Sequence, residues 1–346
     1  MQLSLGGFEV TMPTPKGIEV SSHSFGKIQV PVHAGEFWTA KQRDGHSIHE
    51  VSYRACYKPQ LPDYFLKRHA VPGSVVFDPF LGRGTTLIEA RLHGCLTVGS
   101  DINPLSIRLA RPRLCPPTLE QIKARLDAVV FDPTEIKMVG LLEFFHPDTL
   151  QEIQGWMAYF QQRRELGLID GVDEWIEMVA ANRLTGHSNG FFSVYTLPPN
   201  QAVSVERQKK INAKLKQSPE YRDTKRLIFK KSRSLFRDAL PDGFSDHQPI
   251  LFHASADAIP QIARNSVDLV VTSPPFLNEV DYLQDNWMRM WFCGIELEKS
   301  SLWQLRSIPE WTARMEDSLR ELRRVLKKGG VIAFEVGEVR KGTVRL

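Results

Sequence analysis

Two corners of this sequence carry the residue types that bind ligands and polarise amines. The first, Asp78-Pro79-Phe80-Leu-Gly82-Arg-Gly84-Thr85-Thr86, follows the apolar run Val75-Val-Phe77 and opens the helical pattern Leu-Ile-Glu-Ala-Arg-Leu. A buried strand, a tight turn and a helix in that order make a cradle for a ligand. Gly82 and Gly84 give the backbone φ > 0 and leave space where a Cβ would collide. A dinucleotide site would place a third glycine three residues after Gly84, and Leu87 stands there. The second corner, Ser273-Pro274-Pro275-Phe276, ends another apolar run, Leu269-Val-Val-Thr272. Proline is barred from a central ladder, so the strand stops at Ser273, on the sheet edge where open α/β folds place their chemistry. A hydroxyl and a stiffly presented carbonyl there can accept hydrogen bonds from an amine.

The glycine corner resembles the methionine-binding motif of amino-group methyltransferases that use S-adenosylmethionine, especially the DNA enzymes. Ser-Pro-Pro-Phe resembles the Ser-Pro-Pro-aromatic signature of N4-cytosine methyltransferases, a variant of the Asp-Pro-Pro-Tyr motif of N6-adenine enzymes. The resemblance implies an α/β fold: a doubly wound, Rossmann-like methyltransferase sheet with a mainly helical insertion. It implies a site-specific enzyme that moves a methyl group from S-adenosylmethionine to the N4 amine of a flipped cytosine in double-stranded DNA. Ser273 and the Pro274 carbonyl would accept hydrogen bonds from the amine, Pro274 and Pro275 would stiffen the loop, and Phe276 would stack on the base. Two other readings remain: an N6-adenine DNA or RNA methyltransferase, and a catalytically silent nucleic-acid-binding subunit of the same fold.

The resemblance also assigns cofactor contacts. They are Tyr57, ahead of the glycine corner and beside the methionine end; Asp78, Pro79, Phe80, Gly82, Gly84, Thr85 and Thr86 in the corner; and Asp257, for the adenine amino group. Asp78 either binds the methionine ammonium or braces the glycine loop through backbone hydrogen bonds. Asp101 ends the next apolar run, Cys95-Leu-Thr-Val-Gly-Ser. Its carboxylate either accepts both ribose hydroxyls or caps the helix that starts near Leu105.

Several elements must hold these residues. Strands are expected at about 74–78, through Asp101, after Pro249, before Ser273 and at 331–336, with helices at 85–93 and 308–326. From 111 to 247 the strand-helix rhythm breaks, and helices are expected at 119–130, 150–162, 172–182, 205–215 and 224–240. The chain therefore divides into N-terminal strands or a cap (1–49), a catalytic core (50–110 and 248–346) and a helical, basic insertion (111–247). The insertion is the candidate recognition region. Within it Phe191, Phe192 and Tyr195 either meet bases or form a local core. The family pattern usually continues past the fifth strand with a helix and an antiparallel strand pair, whereas this sequence ends at Leu346.

Charge is distributed unevenly. Between Arg207 and Arg237 twelve Lys or Arg stand against Glu220 and Asp223, so this segment carries +10 and the rest of the chain −6 within an overall +4. That is the footprint of a polyanion partner, and Lys209, Lys210, Lys214, Arg226, Lys230, Lys231 and Arg233 are the expected phosphate contacts. The four cysteines are far apart with no histidine at ligand spacing, so no metal site is assigned and reduced thiols are expected. No run of 18 apolar residues occurs, which argues against a membrane span, and a cytoplasmic protein is expected.

Overall fold

The computed structural model describes residues 18–35, 45–132, 138–197, 201–277, 280–296, 302–303, 305, 307–339 and 344–345. Five parallel strands form its central sheet: β3 (Val75–Asp78), β4 (Leu96–Asp101), β5 (Ile250–His253), β6 (Val267–Thr272) and β7 (Leu326–Phe334). Their order is β5-β4-β3-β6-β7. The chain thus winds outward from β3 through β4 to β5, then returns to β6 on the other side. The reversal between β3 and β6 opens a crevice at their carboxyl ends, which is where both corners lie.

Around the sheet pack α1 (Gln60–His69), α2 (Thr85–Leu92), α3 (Pro104–Leu114), α9 (Tyr282–Phe292) and α10 (Ile308–Val325). The insertion between β4 and β5 holds α4 (Leu119–Ala128), α5 (Pro147–Glu165), α6 (Gly171–Ala181), α7 (Val205–Leu215) and α8 (Thr224–Leu235). Local sequence explains their starts. Thr118 with Gln121 and Asp170 with Asp173 form capping boxes, and Pro147 sits in the first turn of α5. One large apolar cluster runs from α3 through α5, α6 and α8 to α9, including Trp156, Trp175, Leu109 and Met288. The insertion therefore shares its interior with α3 and α9 of the core.

Some boundaries differ from expectation. Helix α8 stops at Leu235, because Phe236 leaves the helix to stack on Trp175 at 4.7 Å. Strand β7 starts five residues early, at Leu326, and ends at Phe334; it leaves the ladder register near Val267 and rejoins it at Leu269. The N-terminal strands, β1 (Glu19–Phe25) and β2 (Ile28–Ala34), pair with each other in a separate antiparallel sheet, not with an edge of the main one. The rest of the expected N-terminal cap, 1–17 and 36–44, lies outside the described residues. Two short strands, β8 (Glu338–Val339) and β9 (Val344–Arg345), pair antiparallel after β7. No helix among the described residues is long and apolar enough to cross a membrane.

Candidate active site

The glycine corner and the Ser-Pro-Pro corner line one cleft. Its walls include Pro79, Phe80, Gly82 and Thr85 from the first, Ser273 and Pro275 from the second, and Tyr57 from the segment ahead of the glycine corner. Asp101, Ile102 and Asn103 after β4, Ala256 after β5, and Tyr53, Tyr282 and Trp303 complete it. The cleft spans about 790 Å³ counting its open mouth.

Buried hydrogen bonds tie the two corners together. Thr272 donates its hydroxyl to Asp78 Oδ1 at 2.6 Å, and Thr86 donates to the Val271 carbonyl at 2.9 Å. Asp78 also accepts from Tyr57 Oη at 3.1 Å and from the Phe80 amide at 3.1 Å, while Tyr57 meets the Thr86 hydroxyl. Burial pushes the Asp78 carboxyl up to about 6 despite these donors. Asp78 is wholly buried and stands behind the cleft wall, so of its two expected roles the geometry shows bracing.

Asp101 reaches the wall and also holds the loop. It accepts from the Gly82 amide and the Asn103 amide, each at 2.8 Å, and burial raises its carboxyl above the usual range. The helix-cap role belongs to Asn103, whose side chain accepts from the Leu105 amide at 3.0 Å. Gly84 has φ 81°, and a Cβ there would lie 2.8 Å from the Ala110 Cβ; its missing side chain makes room for α3, not for a ligand. Gly82, at φ 52°, faces the cleft beside Tyr53.

Two expected residues point elsewhere. Phe276 packs with Leu277, Leu305, Trp311 and Met315, and its ring lies where a Gly337 Cβ would be. Asp257 sits one residue past the cleft-lining Ala256 and pairs with Arg314 at 2.8 Å. Pro274 is buried behind the wall, and Trp311 donates its indole N–H to the Pro275 carbonyl at 3.0 Å. Sequence reading missed Tyr53, Tyr282 and Trp303, which carry no motif and reach the cleft only through tertiary packing. Tyr53 and Tyr282 stack there with centroids 6.3 Å apart.

Outside the cleft, Lys209, Lys210 and Lys214 are exposed on α7, and Arg226, Lys230 and Arg233 on α8. The last three recur at helical spacing and share one face. Lys231 turns the other way and pairs with Glu50 at 3.0 Å. Phe192 is wholly buried and Phe191 nearly so, under the Arg183 guanidinium at 4.0 Å, while Tyr195 is about half exposed. A group of possible metal donors, Asp63, Glu89 and His93, lies on α1 and α2; His93 pairs with Asp63 at 2.8 Å and Glu89 with His49 at 2.7 Å.

Residues 16–111 match a family model described as DNA methylase of the N6/N4 type. The match points to the amino-methyltransferases. It spans the glycine corner and Asp101 and stops before the Ser-Pro-Pro corner. The Type II methyltransferase M.MjaII of Methanocaldococcus jannaschii is 38% identical over 78 residues, 22% of this chain and 14% of that protein. The Type II methyltransferase M.BsoBI of Geobacillus stearothermophilus is 22% identical over 284 residues, 73% of this chain and 54% of that one. The chain thus spans about half the length, or less, of these curated relatives. A solved rRNA methyltransferase, aviRa from Streptomyces viridochromogenes, aligns over 86% of this chain and 82% of its own at 13% identity, with a TM-score of 0.32, too slight a likeness to weigh on the fold or the function. Amino-methyltransferases imply S-adenosylmethionine as methyl donor, and the residues present fit it. The cleft offers a glycine turn with free approach at Gly82, a carboxylate at Asp101 and apolar walls at Phe80, Ile102 and Ala256.

Proposed function

We propose that this chain transfers the methyl group of S-adenosylmethionine to the N4 amine of cytosine in double-stranded DNA. One observation carries the reading: Ser273 lines the same cleft as Gly82 and Asp101, with Thr272 bonded to Asp78 beneath them. A methyl donor held on the glycine corner would lie beside an amine held on the Ser-Pro-Pro corner.

An exocyclic cytosine amine is a poor nucleophile because its lone pair is delocalised into the ring. A hydrogen bond accepted by the Ser273 hydroxyl, which lines the cleft, concentrates electron density on nitrogen and aligns it for attack, with buried Pro274 stiffening the turn behind it. No strong base is needed at Ser273, since the amine becomes acidic once methylated and its proton passes to water. Bound S-adenosylmethionine supplies the electrophilic methyl. Asp101 is the group for the ribose hydroxyls, and Tyr57 closes the methionine end. Because the amine is paired inside the duplex, the base must leave the stack, at about a few kcal/mol. Exposed cations on α7 and α8 hold the flanking phosphates meanwhile. The geometry of Phe276 leaves stacking on the extruded base to the cleft-facing aromatic pair Tyr53 and Tyr282.

Incubating the protein with duplex DNA and a methyl-labelled donor tests this. Label should enter DNA, and Ser273→Ala should slow its entry about 100-fold or more, the usual loss for a transition-state hydrogen bond. Full turnover by Ser273→Ala would remove the assignment.

A further inference from the structure

Helix α10 starts beside the cleft, and its first turns reach two of the walls. Trp311 holds the Pro275 carbonyl at 3.0 Å. One turn later Arg314 donates to Asp257 Oδ2 at 2.8 Å, and its guanidinium lies 5.3 Å from the centre of the Trp303 ring. Trp303 in turn meets Phe80 edge to face, with centroids 5.8 Å apart. Trp303 and Phe80 both line the cleft, whereas Asp257 faces an outer groove with Arg264, Arg320 and Arg324. Asp257 is thus linked to the cleft wall through Arg314 and Trp303.

We propose that Trp303 is the aromatic wall over the adenine ring of the methyl donor, and that Arg314, fixed by Asp257, is the positioning residue that holds Trp303 in place. The inference rests on the S-adenosylmethionine reading. Adenine is a flat ring with two apolar faces, and it binds well only where both are covered. Ile102 and Ala256, at the ends of β4 and β5, bound the stretch of cleft next to the ribose carboxylate Asp101. Through Arg314 and Asp257, Trp303 is anchored to the same post-β5 turn that supplies Ala256. It belongs to no helix or strand; its ring rests against the cluster of Leu277, Leu305, Trp311 and Met315, and the Arg314 guanidinium lies over it. A planar guanidinium against one part of the indole fixes the ring and leaves the rest free for a ligand. The same helix thus sets the Ser-Pro-Pro loop through Trp311 and the donor wall through Arg314.

The test uses S-adenosylhomocysteine, which binds without reacting, titrated by calorimetry and by tryptophan fluorescence. Wild-type protein should bind it with quenching. Trp303→Phe should keep most of the affinity and lose the ligand-dependent quench; Trp303→Ala should raise Kd about tenfold or more. Arg314→Gln should raise Kd severalfold in the wild-type background and add nothing in Trp303→Ala, because it acts through that ring. Thermal melts establish that each variant is folded, and if Trp303→Ala is not, the quench in Trp303→Phe decides. Unchanged Kd in folded Trp303→Ala, a persistent quench in Trp303→Phe, or fully additive losses for Arg314→Gln would each overturn the proposal while leaving the methyl-donor reading standing. A wild-type protein that binds no S-adenosylhomocysteine would end both.

Discussion

At the scale of residues, Asp78 ties the glycine corner to the Ser-Pro-Pro corner. Three donors from three segments converge on its buried carboxylate, and the shortest bond comes from Thr272, the neighbour of Ser273. Removing one donor leaves a buried acceptor short of a partner, which costs about 1–3 kcal/mol. Thr272→Val should therefore lower stability by that amount and loosen Ser273 against the glycine corner, while Thr272→Ser restores both. Chemical denaturation with parallel turnover assays reads the two effects; equal turnover in Thr272→Val and wild type would mean that the bond does not position the loop. Pro79, Gly82, Asp101 and Pro275 were legible in the sequence because their strand-end geometry brings them to the cleft. Phe276 and Asp257 were less so. Their side-chain directions depend on Gly337, Trp311 and Arg314, which arrive from later in the chain.

At the scale of elements, α2 is fixed at both ends by contacts its own sequence does not announce. At its start, Gly84 admits Ala110 of α3. Gly84→Ala combines a positive φ with a 2.8 Å approach, so the variant should lose about 1–3 kcal/mol, seen as a lower melting temperature. Further along, Glu89 is buried against His49. Burial, with Asp63 nearby, pushes Glu89 up to about 8, and burial holds His49 well below its usual value. Their 2.7 Å contact is therefore a neutral hydrogen bond near pH 7, not an ion pair. Because the folded state keeps the Glu89 proton where the unfolded state has lost it, this contribution is full below the unfolded value of 4.5. It declines as pH rises and is gone once pH passes about 8. Glu89→Gln keeps a neutral partner for His49 and should flatten that decline, about 1.4 kcal/mol per pH unit at most, in denaturation curves taken from pH 5 to 9. Apolar periodicity located α2, α10 and the five insertion helices, while the ends of α8 and β7 escaped it because a tertiary ring stack and a register shift set them.

At the scale of the whole molecule, a cleft on one sheet edge is joined to an insertion whose interior is continuous with it and whose outer helices are basic. The basic charge of the outer helices was readable in the sequence; the apolar cluster that unites them with the core was not, since it is assembled from helices more than a hundred residues apart. Neutralising Lys209, Lys210 and Lys214 together should weaken duplex binding evenly across sequences. It should reduce the slope of log affinity against log salt by about one unit per lost phosphate contact. Binding of S-adenosylhomocysteine should stay unchanged, as the cleft lies elsewhere. The most direct measurement concerns the product: duplex DNA incubated with protein and labelled S-adenosylmethionine, digested to nucleosides and resolved by mass spectrometry. The account predicts label in N4-methylcytosine, entering about 100-fold more slowly with Ser273→Ala; label in any other nucleoside, or none in DNA at all, would contradict it.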